Sequence, residues 1–164
     1  MQKRITRASS TAAQAAIHLR PMSAADLVTV LSLERQCHPR SWPACFFRRL
    51  LRSRASCWVF EKDGVVVGYG IMRCLRDKAH IMNLCISPAY RRHGLGRKML
   101  IHLMTVAQNR GAKQAWLEVF PTNRLAIALY RRLGFRSSYR RKGYYRYAPQ
   151  RQRDALAMAI SLDR

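Results

Sequence analysis

The sequence predicts an α/β fold, a mixed, mostly antiparallel sheet of about seven strands flanked by four helices. Three observations predict it. Segments of period two and period 3.6 follow one another in the order β-α-α-β-β-β-α-β-α-β-β. An apolar run, Ile81 to Ile86, leads into the Gly-rich hexapeptide Arg91-Arg92-His93-Gly94-Leu95-Gly96 and then into a helical pattern. The 164 residues are 49% hydrophobic and show no internal repeat or linker, which fits one domain with its own core.

Each element has a local cause. Ile17-His18-Leu19-Arg20 alternates as a short strand ended by Pro21. Ser23, with Asp26 three residues on, forms a capping-box pattern, and Leu27, Val30, Leu31 and Glu34 mark the faces of the helix that follows. Pro43 suits the first position of a second helix, with Phe46, Phe47, Leu50 and Leu51 as its buried stripe and Arg48, Arg49 and Arg52 outside. Cys57 to Glu61 and Val65 to Arg73 read as strands joined by the hairpin turn Lys62-Asp63-Gly64. Ala79 to Ser87 is nearly continuous in apolar residues, hence central, and Pro88 stops it. Met99, Leu100, Leu103, Met104 and Ala107 recur at helical spacing until Gly111. In Gln114 to Val119, Ala115, Leu117 and Val119 share one face, Trp116 and Glu118 the other. Thr122 or Asn123 caps a fourth helix with Leu125, Leu129 and Leu133 on one stripe and Gly134 as its stop. Tyr139 to Tyr147 suggests a strand and a loop, and Leu156, Met158, Ile160 and Leu162 alternate in a last strand.

Lys and Arg number 31 against 8 Asp and Glu, a net charge of +23. Such a surplus attracts polyanions and disfavours a polycation unless acids cluster locally. Between Asp77 and Asp154 only Glu118 is acidic. The five cysteines are odd in number and lack a C-x-x-C pair, which reads as reduced thiols in a reducing, cytoplasmic compartment. The histidines lack metal-site spacing, so no metal is expected. No apolar run approaches the roughly 20 residues of a membrane span, so no membrane contact is expected. Residues 1–16 form a basic extension, expected to be disordered in preference to a targeting segment of transit-peptide composition. Residues 17–164 form the single domain.

The hexapeptide is built for an anion. Helix-start N–H groups are unpaired and the helix dipole favours negative charge there. Gly94 and Gly96 allow close backbone approach, and Arg91 and Arg92 add charge.

Together these parts carry a resemblance. The element order, the R-x-x-G-x-G loop, and Leu117-Glu118-Val119 followed by Asn123, Ala128-Leu129-Tyr130 and Gly134-Phe135 closely resemble the GCN5-related N-acetyltransferases (GNAT). Asn83 to Pro88, Tyr144-Tyr145 and Asp154-Ala155-Leu156 resemble the ribosomal-protein-alanine group (RimI type) within it. The resemblance implies acetyl-coenzyme A as co-substrate. It implies a pyrophosphate cradle from Arg92, His93, Gly94, Leu95, Gly96 and Arg97, a pantetheine-pairing edge at Leu84, Cys85 and Ile86, and a cofactor hydrogen bond from Asn123. It also implies Glu118 as general base and Tyr130 as general acid for direct attack by an amine, with no covalent enzyme intermediate. The implied partner is a peptide or protein N-terminus, the family's usual one being ribosomal protein S18. Phe120 departs from the pattern, which usually has arginine there, and Arg76, Lys78 and His80 stand where acids are common.

The chemistry suits these residue types. A peptide α-amine, with pKa of about 7.7–8.0, is neutral in roughly a tenth of molecules near pH 7, whereas a lysine amine is neutral in about one part in a few thousand. An N-terminal acceptor therefore needs only a modest base. Two alternatives stay open. One is a small-molecule amine or lysine acetyltransferase of the same fold. The other is a basic RNA- or ribosome-binding module, and electrostatic contact with ribosomal RNA is compatible with catalysis as well.

Overall fold

The computed structural model describes residues 16–146 and 154–163. The expectations for the N-terminal extension up to residue 15, and for the loop at Tyr147, lie outside the described residues.

The strands are β1 (His18–Pro21), β2 (Ser56–Lys62), β3 (Val65–Leu75), β4 (Lys78–Ile86), β5 (Gln114–Val119), β6 (Arg136–Arg141) and β7 (Ala155–Ser161). The helices are α1 (Leu27–Cys37), α2 (Ala44–Leu51), α3 (Leu95–Asn109) and α4 (Arg124–Arg132). The strands form one sheet in the order β1-β2-β3-β4-β5-β7-β6, and among the described residues only the β4–β5 pair is parallel. Two expected boundary devices are present. The N–H of Ser23 donates to Asp26 Oδ2 at 2.7 Å ahead of α1, and Asp63 and Gly64 take the two positive φ values of a tight hairpin turn.

Each face of the sheet carries its own core. On one side α3 and α4 bring Met99, Leu100, Leu103 and Ile127 against Met72, Ile81, Leu117 and Met158. Burying each such side chain stabilises the fold by about 1.5–3 kcal/mol. Gly70 permits that approach, because a Cβ there would lie 2.6 Å from Met99. On the other side α1 and α2 bring Val30, Leu33, Phe47 and Leu50 against Val59, Tyr69, Ile71 and Cys85.

A bulge in β4 divides its side chains between the two cores. Register passes from Met72 opposite Ile81 to Ile71 opposite Asn83, so Met82 is the extra residue. Below it Ala79 and Ile81 belong to the α3 side. Beyond it Cys85 faces α1, and Asn83 reaches the Glu34 carboxylate from β4.

Two expectations are corrected. The helical spacing puts Leu125 on the buried stripe of α4, yet it is 73% exposed, and Ile127 and Tyr130 are the buried residues. At about 100° per residue, Ile127 and Tyr130 centre a stripe that includes Leu133 and leaves Leu125 outside. The cysteine count predicts reduced thiols throughout, but Cys37 and Cys85 form a disulfide, and Cys45, Cys57 and Cys74 are free. The end of α1 lies over β4 and sets the two Cα atoms 6.2 Å apart, within the range a disulfide spans. Nothing in a separation of 48 residues announces that approach.

Candidate active site

The site begins where the parallel pair comes apart. Strand β4 pairs with β5 only from Lys78 to His80, opposite Gln114 to Trp116. It stays paired with β3 as far as Ile86. Leu84, Cys85 and Ile86 therefore have one satisfied edge and one edge facing the opening between β4 and β5. Backbone groups on such an edge are open to an extended ligand.

The Gly-rich loop stands at the end of that edge. Arg92 and Gly94 both adopt positive φ, 68° and 76°, and Gly94 is the N-cap of α3. Arg91 ties the loop back to β4 by donating from Nε to the Ile86 carbonyl at 3.1 Å. The loop from Arg92 to Gly94 is exposed, as are Arg97 and Lys98 in the first turn. The first-turn amides of Leu95, Gly96 and Arg97 have no intrahelical acceptor to reach, so they point an unpaired positive end outward. A Cβ at Gly94 would meet nothing within 4 Å, so the loop is open rather than packed. Gly96 serves the helix contact instead, because a Cβ there would lie 3.3 Å from the Leu129 side chain of α4.

Glu118 projects from β5 on the face opposite Leu117 and Val119, beside Trp116. Its side chain is only 3% exposed. One oxygen meets His80 Nε2 at 2.7 Å, and the other accepts from Arg141 Nη1. Burial alone would raise the carboxyl's pKa, but His80 and Arg141 outweigh it and hold Glu118 below the usual carboxylate range. The His80 ring lies flat on Trp116, with centroids 3.7 Å apart. The Arg141 guanidinium lies 4.7 Å from the centre of the Tyr144 ring, and Tyr145 stacks on Phe120 at 3.8 Å. Burial lifts the Tyr144 hydroxyl to about 12, and the Glu118 charge adds to the effect.

Tyr130 lies on the other face. It belongs to the α3-side core, tilted against Phe135, and burial raises its hydroxyl to about 12. It keeps its proton throughout the neutral range. Asn123 caps α4 by accepting from the Ala126 N–H at 3.2 Å, which leaves its side-chain N–H groups for another partner. Thus Leu84–Ile86 and Glu118 border the β4–β5 opening, and the Arg92–Arg97 turn continues its β4 edge. Tyr130 lies across the sheet from Glu118.

Sequence reasoning singles out Tyr144 with Tyr145 but does not place it near Glu118, and it misses His80 and Arg141 as partners of that carboxylate. His80, Arg141 and Tyr144 lie 38, 23 and 26 positions from Glu118, on other strands or the segment after β6. The available signal was the solitary acid itself: a carboxylate on a strand face crowded by cations has to find partners. Among the described residues, no group of three or more His, Cys, Asp or Glu is placed to hold a metal ion.

Comparison with known proteins places the chain in a family. The profile of the Acetyltransferase (GNAT) family matches residues 27–135. The chain belongs to that family. It is an acetyl-coenzyme A-dependent N-acetyltransferase, and the fold is the GNAT fold. The chain is 33% identical over 137 residues to the [ribosomal protein bS18]-alanine N-acetyltransferase of Escherichia coli K12, covering 84% of this chain and 92% of that one. Its counterpart in Salmonella typhimurium is 33% identical over 141 residues, covering 86% and 95%. The crystal structure of the Escherichia coli ribosomal-protein-S18-alanine N-acetyltransferase superposes with a TM-score of 0.82 at 30% identity, over 91% of this chain and 96% of that one. Another Salmonella typhimurium structure, solved with its cofactor acetyl-CoA, shares the fold at a TM-score of 0.75 and 20% identity, over 91% and 95%. No described helix of this acetyltransferase is long and apolar enough to cross a membrane.

Proposed function

We propose that this acetyltransferase acts on the α-amino group of a protein N-terminus, with the alanine terminus of ribosomal protein bS18 as its acceptor. One observation carries the proposal. A buried, ionised Glu118 stands at the β4–β5 opening, with a protonated Tyr130 across the sheet, in a chain one-third identical to enzymes of that specificity. With a ribosomal protein as acceptor, the reaction is cytoplasmic.

The residues divide the work. The free edge at Leu84, Cys85 and Ile86 fits a pantetheine arm, and the turn from Arg92 through His93, Gly94, Leu95 and Gly96 to Arg97 fits a pyrophosphate. Asn123 offers a side-chain N–H to the cofactor while its oxygen caps α4. Acetyl-coenzyme A, when bound, supplies the activated acetyl group as a thioester. A backbone N–H of the Leu84–Ile86 edge meets the oxygen on which charge develops. Glu118 accepts the ammonium proton, and Tyr130 holds the proton that the departing sulfur takes up.

Charge supports a protein acceptor over a polyamine. Asp26 and Glu61 are both bound to Arg20, and Glu34 and Glu118 are buried in their own bonds. Half of the eight acids are thereby committed internally, which leaves little with which to build a pocket for a polycation. The same unneutralised surface supports electrostatic contact with ribosomal RNA as a route to the acceptor.

The test is thiol release from acetyl-coenzyme A with three acceptors: an alanine-initiated bS18 peptide, a peptide with only an internal lysine, and a polyamine. The alanine peptide should exceed the other two at least about tenfold in kcat/KM, in keeping with its larger neutral fraction. Preferential turnover of the polyamine or the lysine peptide overturns the assignment.

A further inference from the structure

Glu118 poses a problem as a solitary base. Each of its oxygens already has a partner, Arg141 on one and His80 on the other. A carboxylate held this way gives up its charge reluctantly, so the acceptor's proton has reason to go to a neighbouring group. The His80 ring is the group placed to receive it.

The geometry fixes how the ring is used. His80 and Trp116 are the last paired residues before β4 and β5 separate, so the imidazole stands at the opening itself. Its plane is parallel to the indole within 1°, which fixes its tilt. Its Nε2 lies 2.7 Å from Glu118 Oε2, a distance that requires a shared proton. With that proton on Nε2, the neutral ring presents a lone pair at Nδ1. The side chain is 24% exposed, so the ring is within reach of solvent. The charged and titratable groups around the pair are Arg73 across from His80 on β3, Lys78 two residues back on the same strand, Arg141 at the end of β6, and Tyr144 and Tyr145 just after it.

Resting on the reading of Glu118 given above, we propose that His80 and Glu118 form one proton-accepting unit, in which Glu118 holds the Nε2–H and the ring carries the acceptor's proton away through Nδ1. The balance is simple. An N–H bond of the substrate ammonium breaks and an N–H bond forms at Nδ1, directly or through water. The neutral amine is left with its lone pair, and the imidazolium is left paired with the Glu118 carboxylate. Release of that proton to solvent restores the neutral ring. No group is oxidised or reduced. This arrangement shares the logic of a base oriented by a buried carboxylate, with Glu118 as the positioning group and His80 as the proton carrier.

His80→Gln separates this role from a structural one, because glutamine still offers an N–H to Glu118 but cannot take up a proton. The variant should lose about tenfold to a hundredfold in kcat with the alanine-initiated peptide, while KM for acetyl-coenzyme A changes less than about threefold. The pH profile of kcat should change shape, because the group that takes up the acceptor's proton is gone. A second readout needs no activity: the His80 ring nitrogen signals, followed by NMR, should report the Nε2–H tautomer in the wild type and lose that preference in Glu118→Ala, where the acceptor of that N–H is gone. Wild-type kcat and an unchanged pH profile in His80→Gln, with Glu118→Gln inactive, overturn the shared role and leave Glu118 as sole base. An active Glu118→Gln overturns the underlying reading instead. Ring nitrogen signals that are unchanged in Glu118→Ala show that the pair does not exist in solution.

Discussion

Two glutamate side chains are buried among the described residues, and their surroundings differ in kind. Glu34 on α1 is 1% exposed and Glu118 on β5 is 3% exposed. In both, burial pushes the carboxyl's pKa up and hydrogen-bonding partners push it down further, so both stay ionised below the usual range. Glu34 is enclosed by its partners: His38 Nδ1 at 2.7 Å, the Trp42 N–H at 2.9 Å, Asn83 Nδ2 at 3.2 Å, and the Tyr69 hydroxyl. These tie α1, the α1–α2 connection, β3 and β4 together. Glu118 is held by a histidine and an arginine at an opening in the sheet. Burial and a perturbed pKa therefore do not separate the two acids. Their locations do: one carboxylate lies inside a closed network, the other beside a free strand edge.

The sharpest way to break this comparison is to remove each charge in turn. Glu118→Gln should lower kcat with the alanine-initiated peptide by about a hundredfold or more, the range of a lost general base. Acetyl-coenzyme A affinity, measured by calorimetry, should stay within about threefold of wild type, because Glu118 is bonded to His80 and Arg141 and not to the Gly-rich turn before α3. Glu118→Gln with normal turnover would make the two glutamates equivalent structural anchors.

Glu34→Gln should do the reverse. It removes the charge from four converging bonds and should cost about 2–4 kcal/mol in urea unfolding at pH 7. Turnover per folded molecule should fall less than about threefold. The pH dependence follows from the lowered pKa. A carboxyl whose folded pKa lies below its unfolded one adds stability that is complete above the unfolded value, about 4.3, and is lost as pH falls through the folded value. The gap between wild type and Glu34→Gln should therefore be largest near neutral pH and close below about pH 4. A gap that widens in acid would mean that Glu34 is protonated in the fold.

How much of this is readable in the sequence differs between the two networks as well. Glu118 is legible, because a strict alternation from Gln114 to Val119 puts it beside Trp116 and away from the α3-side core. The Gly-rich turn is legible as a turn because a strand, two glycines and a helix follow in sequence, and the structure gives Gly94 the positive φ that such a turn needs. Glu34 is visible only as a mark on a helix face; its place one turn beyond Val30 on the buried stripe is the signal that it needs partners. His80, Arg141 and the Cys37–Cys85 disulfide are not legible. Each depends on where distant segments meet, and the β4 bulge at Met82 changes which face the later residues of that strand occupy. A local period carries no record of such a shift.

The smallest expected effect tests the side of the site that neither glutamate touches. Asn123 has two possible duties, capping α4 through its oxygen and meeting the cofactor through its nitrogen. Asn123→Ala removes both and should cost about 1 kcal/mol of stability from the lost cap. Asn123→Asp keeps the capping oxygen but has no N–H to give, and it adds negative charge where a helix start favours it. If the cap is the whole role, Asn123→Asp should match wild type in both unfolding midpoint and KM for acetyl-coenzyme A. If the nitrogen also binds cofactor, Asn123→Asp should keep its stability while KM for acetyl-coenzyme A rises about threefold to tenfold, the scale of one lost hydrogen bond. The second outcome is the expected one. It would place the cofactor's reach at the start of α4 as well as at the start of α3, with Glu118 and its partners left to handle the acceptor.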